Sequence, residues 1–322
     1  MSSFFRGMAL QTKRSRPLRY IASKIPWLDH WNLLSSTSYG ELLQERNLRI
    51  IGEDDKYVYA KDTCLQYVGP SSSSKIALNA PVSAIRRLSS IANKNGVSYA
   101  DIPSANALIH NIILRSYREF MPFGNISMRT CDLSVNDIFI DIGCFRGYLS
   151  LKASKIVGPN GLVVSVDPIE DSIAILEKQI SLNCLDNILP LTRACVSECC
   201  NDKTVSFFDA GDGSTNNSIV SHHLSVKTKA REVACISISD ILSQIPKSKL
   251  EGRRIVASIT TNGSEFLLLE ELFRRSPISI TCCIPTLYTY EHLPKWLPRF
   301  RAEFPDALVA DSYPWLQVRV EK

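Results

Sequence analysis

Phe139-Ile-Asp-Ile-Gly-Cys-Phe-Arg-Gly147 decides the fold: a short apolar strand ends in acid-x-Gly-x-x-x-Gly and opens directly into a helical pattern. Glycines suit that turn because the chain swings sharply from strand to helix and because a ligand can approach the backbone more closely where there is no β-carbon. Working outward, further apolar runs predict strands near 162–167, 188–196, 254–260 and 278–284. Each is almost continuous in apolar residues, as strands covered on both faces are. Between them, Leu149, Ala153 and Ile156, then Ile169, Ile173, Leu176 and Ile180, then Phe266, Leu269, Leu272 and Phe273 recur at helical spacing. The alternation predicts the α/β class, with a doubly wound, mostly parallel sheet.

The flanks read differently. Thr204 to Asp240 breaks the alternation with two predicted strands around a polar loop, Asp209 to Ser218, and Ser239 or Asp240 is placed to cap a short helix. Before the main sheet, Leu48-Arg-Ile-Ile and Tyr57-Val-Tyr-Ala predict a hairpin around Glu53-Asp54-Asp55, and an amphipathic helix is expected from Ser104 to Phe120. This divides the chain into a basic leader with an accessory subdomain, 1–102, and a main domain, 103–322.

Composition narrows the function classes. With 45% hydrophobic and 21% charged residues, and no run of about 20 apolar residues, the 322-residue chain has the profile of a globular protein without a membrane span. The net charge of +5 is accounted for by Arg6, Lys13, Arg14, Arg16, Arg19 and Lys24, all ahead of the first acid, Asp29. The body therefore carries no basic footprint of the kind that neutralises phosphates, and nucleic acid is not expected as a partner. Tyr288, Tyr290, Trp296, Arg299 and Arg301 come nearest to such a surface, at a spacing that more often covers a domain edge. The leader lacks the apolar core of a secretory signal. Ten cysteines without a C-x-x-C pair fit a reducing compartment, so a cytoplasmic location is expected, and no metal site is assigned. Cys195, Cys199, Cys200, His222 and His223 could be assembled into one on paper, but buried thiols are the better reading.

Two acids carry the chemical argument. Asp141 closes the first strand, where a carboxylate suits a cationic ligand such as the sulfonium and amino group of S-adenosylmethionine and repels a pyrophosphate. Gly143 and Gly147 also lack the G-x-G-x-x-G spacing of a nicotinamide site, which disfavours an oxidoreductase. Asp167 closes the next strand, 26 residues after Asp141, where a carboxylate can accept hydrogen bonds from vicinal ribose hydroxyls.

These residues resemble the FkbM family of methyltransferases. The resemblance runs through Tyr117-Arg-Glu-Phe-Met-Pro-Phe-Gly, Phe139-Ile-Asp-Ile-Gly-Cys-Phe-Arg-Gly-Tyr, Val157-Gly-Pro-Asn-Gly, Val166-Asp-Pro, Leu182-Asn-Cys-Leu-Asp-Asn and Ala194-Cys-Val-Ser to Ile236-Ser-Ile-Ser-Asp-Ile-Leu, roughly residues 115–275. It implies a seven-stranded Rossmann-like methyltransferase sheet. It also implies an S-adenosylmethionine site including Asp141, Gly143, Cys144, Gly147, Asp167 and Pro168, with Ala194 and Cys195 near the adenine. The implied reaction is methyl transfer to oxygen on a small-molecule or glycan acceptor. One stretch departs from the family: Ser258-Ile-Thr-Thr-Asn-Gly-Ser-Glu265 stands where Lys-Ile-Asp-Val-Glu-Gly-x-Glu is usual. Thr260 and Asn262 replace two acids at a strand tip that would face the transferred methyl group. The candidate catalytic residues are therefore Asn262, Glu265 and His222, with His223, Glu291 and His292 as further candidates. Asn262 can orient a hydroxyl but cannot act as a base. The alternative is a cofactor-binding module that has lost catalysis.

Overall fold

The computed structural model describes residues 47–76, 78, 85–86, 88–90, 93, 101–116, 133–197, 204–209, 218–219, 229–285, 292–312 and 315–322. The expected hairpin is present as β1 (Arg49–Glu53) and β2 (Tyr57–Lys61), paired antiparallel. Its turn is held by Asp54, whose Oδ1 accepts the Lys56 and Tyr57 N–H groups at 2.9 and 2.7 Å. A third strand not read from the sequence, β3 (Gln66–Pro70), extends it into a β1-β2-β3 sheet. Helix α1 (Pro103–Ser116) follows; Tyr117 to Phe120, which the sequence reading added to it, lie outside the described residues.

The chain then alternates as expected: β4 (Ile138–Ile142), α2 (Tyr148–Val157), β5 (Leu162–Asp167), α3 (Glu170–Leu182) and β6 (Ile188–Thr192). The run expected as one strand over 188–196 is two. The Arg193 N–H turns to the carbonyls of Asp167 and Leu191, and β7 (Ala194–Val196) leaves the main sheet. It pairs with β9 (Lys229–Ser237), which also pairs with β8 (Thr204–Asp209). Next come α4 (Ile238–Ser243) and the short α5 (Lys247–Leu250). The cap of α4 is Ser237 rather than Ser239 or Asp240: its Oγ accepts the Asp240 N–H, and the Asp240 carboxylate accepts the Ser237 N–H in return. The chain continues with β10 (Ile255–Ile259), α6 (Glu265–Arg275), β11 (Ile280–Pro285), α7 (Leu293–Glu303), β12 (Leu308–Ser312) and β13 (Trp315–Val320).

The main sheet runs β12-β13-β11-β10-β4-β5-β6. β6, β5, β4, β10 and β11 are mutually parallel, and β13 runs against both neighbours. This is the seven-stranded, mostly parallel Rossmann-like methyltransferase sheet. Alternate residues face two cores. Phe139, Val163, Val256 and Cys283 meet α1, α2 and the β1–β3 sheet, while Ile140, Val164, Ala257 and Cys282 meet α4, α6 and α7. The accessory residues Leu48, Val58, Ala60, Leu65 and Tyr67 belong to the first of these cores. No helix among the described residues is long and apolar enough to cross a membrane.

Helix α3 ends in a Schellman arrangement, with Cys184 N–H bonded to Ser181 O and Leu185 N–H to Ile180 O. The motif puts exposed Cys184 at φ 50°, a left-handed conformation that costs a side-chain-bearing residue about 1–2 kcal/mol. Cys184→Gly is expected to stabilise the protein by about 1 kcal/mol, read as a higher urea midpoint. An unchanged or lower midpoint would show that the left-handed position carries no cost there.

Candidate functional site

The order of strands reverses between β4 and β10, and in open α/β sheets the crevice at the carboxyl ends beside such a point is where ligands bind. The turn leaving β4 lies there. Gly143 and Gly147 sit at φ 76° and 72°, with Phe145 between them at φ 54°. The N–H groups of Gly143 and Cys144 both donate to Val166 O, at 2.9 and 3.1 Å, which pins the turn to the end of β5. A β-carbon on Gly143 would lie 2.2 Å from Thr260 O, and one on Gly147 would lie 2.3 Å from Leu176 Cδ1. Both glycines are thus demanded by contacts within the protein.

The two acids are placed differently from one another. Asp167 stands at the end of β5, and its carboxylate faces the turn: Oδ2 accepts the Phe145 N–H at 2.8 Å and Oδ1 the Ile169 N–H at 3.0 Å. The first of these bonds holds Phe145 in its left-handed conformation. Asp141 differs from the sequence expectation of a carboxylate at an open mouth. It is 0% exposed, in register with Ser165 and Ser258, and its Oδ2 accepts the Ser150 hydroxyl of α2 at 2.7 Å. The pleat explains this: Asp141 shares the face of Phe139, the one covered by α1, α2 and the β1–β3 sheet, so its side chain packs under α2.

The tip of β10 meets the same turn. The Thr260 N–H and Oγ1 donate to Ile142 O at 2.8 and 3.3 Å, and Oγ1 also donates to Gly143 O at 2.9 Å. Asn262 takes φ 58°, and its carbonyl accepts the hydroxyl of buried Ser218 at 2.8 Å. Glu265 is buried, with Oε1 accepting the Thr261 N–H at 3.0 Å and Oε2 the Gly263 N–H at 2.7 Å. Burial pushes the Glu265 carboxyl above its ordinary range, against the pull of those N–H groups. Its geometry is that of a side chain that shapes the 261–264 loop.

Of the remaining candidates, Cys144, Ala194 and Cys195 are buried and Pro168 is half-buried beside Asp167. Burial pushes the Cys195 thiol up, away from reactivity. His292 is exposed at the start of α7. His222, His223, Glu291, Cys199 and Cys200 lie outside the described residues, as does nearly all of the loop from Asp209 to Ser218.

Two residues escaped the sequence reading. Arg146, inside the turn, is buried with its guanidinium 4.7 Å from the Phe145 ring centre, and burial lowers its pKa while Tyr148, Asp171 and Asp167 oppose that shift. Gln179 is buried on α3 and donates to Arg146 O at 2.7 Å. Its signal in the sequence is a polar residue three positions after Leu176 on an otherwise apolar stripe.

No family model matches the chain, and no curated protein matches it either, so the FkbM resemblance rests on the quoted motifs. Solved structures are similar to it at low identity. One is an rRNA methylase from Streptococcus thermophilus, 10% identical, with a TM-score of 0.35, covering 62% of this chain and 95% of its own. Another is a protein from Streptococcus mutans described as a methyltransferase and solved with SAH, 11% identical, with a TM-score of 0.37, covering 61% and 94%. A third is a SAM-dependent methyltransferase from Aquifex aeolicus, 15% identical, with a TM-score of 0.31, covering 58% and 82%. None of them lends this chain a residue role. The first corrects one expectation, that the partner is a small-molecule or glycan acceptor to the exclusion of nucleic acid: an rRNA methylase is among the similar structures. The physical reason is that net charge sums a whole surface, whereas an acceptor meets a local one. Counted from β4, the strand order 3-2-1-4-5-7-6 with only the seventh strand reversed is that of the class I, S-adenosylmethionine-dependent methyltransferase fold.

Proposed function

We propose that this chain binds S-adenosylmethionine where β4, β5 and β10 end and transfers its methyl group to a hydroxyl oxygen. The observation that carries the reading is Asp167, a carboxylate closing the second parallel strand and aimed at the glycine turn beside the switch point. Its oxygens accept the Phe145 and Ile169 N–H groups, and a carboxylate so placed at a strand end suits the vicinal hydroxyls of a ribose. The cofactor supplies an electrophilic methyl on a sulfonium. Bound there, it would give that methyl to the acceptor oxygen and leave as the neutral thioether, with the hydroxyl proton released to a base or to solvent. The choice of oxygen follows the FkbM resemblance. Alignment of the two reactants supplies much of the rate in such a displacement, with a general base adding about 10²–10⁴-fold where one is present.

A second reading, a cofactor-binding module without turnover, is favoured by the β10 tip. Thr260 is tied to the turn and Glu265 to its own loop, so among the described tip residues no carboxylate is turned toward an acceptor. Calorimetry with S-adenosylmethionine and its demethylated product tests both readings at once, since either requires binding. Transfer of a labelled methyl to a panel of hydroxyl acceptors, including the ribose hydroxyls of RNA, separates them: binding without transfer selects the module.

Asp167→Ala is expected to weaken cofactor binding by about 1–3 kcal/mol, because hydrogen-bond acceptors in a buried setting are lost. Unchanged affinity in a folded variant removes Asp167 from the site. Thr260→Asp, which restores the family's acid, is expected to destabilise the fold by about 1–3 kcal/mol, because it sets a second acceptor against the carbonyls of Ile142 and Gly143. Urea unfolding measures this, and an unchanged midpoint would mean that the Thr260 hydroxyl bonds carry no weight.

A further inference from the structure

β3 is the edge of its sheet, so the N–H and C=O groups of Gln66 and Val68 on its open side need partners. They find side chains of the main domain. Asn183 accepts the Gln66 N–H and donates to Gln66 O, both at 2.8 Å. Val68 N–H donates to Gln179 Oε1 at 2.9 Å, and the Tyr148 hydroxyl donates to Val68 O at 3.0 Å. Pro70, two residues further along, needs no partner for an N–H it lacks. Gln179 in turn donates through Nε2 to the carbonyl of Arg146, inside the glycine turn, at 2.7 Å. Tyr148, the first residue after that turn, also packs its ring against Tyr67 and Phe145.

We propose that Gln179 is a positioning residue for the cofactor turn, and that through it the β1–β3 sheet forms part of the cofactor site. The inference rests on the reading of that turn as part of an S-adenosylmethionine site. A buried primary amide suits the task because it is donor and acceptor at once: its oxygen holds the edge strand and its nitrogen holds the turn, in one rigid plane. Tyr148 makes a second tie between the same two elements. Edge strand and turn therefore cannot shift independently: Gln179 fixes the Arg146 carbonyl, as Asp167 fixes the Phe145 N–H one residue earlier.

Gln179→Met removes both bonds with little change in volume, and Gln179→Glu keeps the acceptor for Val68 while losing the amide donor facing Arg146 O. In the full chain both are expected to lower affinity for the demethylated cofactor about tenfold and to move the amide resonances of Gly147 and Tyr148 in the unliganded protein. If either variant folds and leaves affinity and those resonances as in the wild type, the proposal is overturned. Should neither fold, Tyr148→Phe cuts the parallel tie while its ring stays in the core. It is expected to move the Val68 and Gly147 resonances and to weaken binding severalfold, and an unaltered Gly147 resonance would again overturn the proposal. If the wild type binds no cofactor while the Gly147 resonance still moves in the Gln179 variants, the methyltransferase reading fails and the strut stands.

Discussion

The structure hangs on one close approach, the backbone of Gly143 against the backbone of Thr260. With 2.2 Å between a hypothetical Gly143 β-carbon and Thr260 O, only glycine lets the two strand tips lie side by side. That approach is what allows β4 and β10 to be neighbours through Ile142 and then part in opposite directions, one chain entering α2 and the other the loop before α6. Thr260 completes it by donating its hydroxyl to the glycine's carbonyl. Thr260 at this position thus serves the fold, its hydroxyl closing the seam between the halves of the sheet.

Around that seam each buried carboxylate takes at least one hydrogen bond from the protein's own donors. Asp141 leans on Ser150, Asp167 on the Phe145 and Ile169 amides, and Glu265 on the amides of its loop. Burying a charge without such partners would cost several kcal/mol. The consequence is a turn over-determined from three sides: by β5 through Val166, by β10 through Thr260, and by α3 through Gln179. Strained residues such as Phe145 persist only where the surroundings hold them in this way.

Much of this was legible. The strands at 138–142 and 162–167 were read to their observed ends because both faces of each are covered, and two covered faces leave an unbroken apolar run. What was not legible had other causes. β3 contains Gly69 and Pro70, residues that mark turns, yet it pairs with β2 along its whole length while side chains of α2 and α3 satisfy its open edge. The break at Arg193 depends on a carbonyl of another strand, Asp167 O, which no local pattern reveals. Asp141 was assigned to the right strand end but to an open position, because an acid in an apolar strand does not show which face it points to until its partner, nine residues on, is known. β12 and β13 went unread because Leu308-Val-Ala-Asp-Ser and Trp315-Leu-Gln-Val-Arg-Val mix polar and apolar residues near the sheet edge.

The placement of β13 between β11 and β12 has a kinetic meaning. A ribosome delivers β12 before β13, yet β12 touches the sheet only through β13. On that side the sheet cannot grow in the order of synthesis. β12 has no place until β13 is made, so the Ile280–Pro285 edge has no strand partner on that side until β13 has emerged. Ordered growth on one flank, through β5 and β6, and late insertion on the other give the nascent chain one flank that closes early and one that waits.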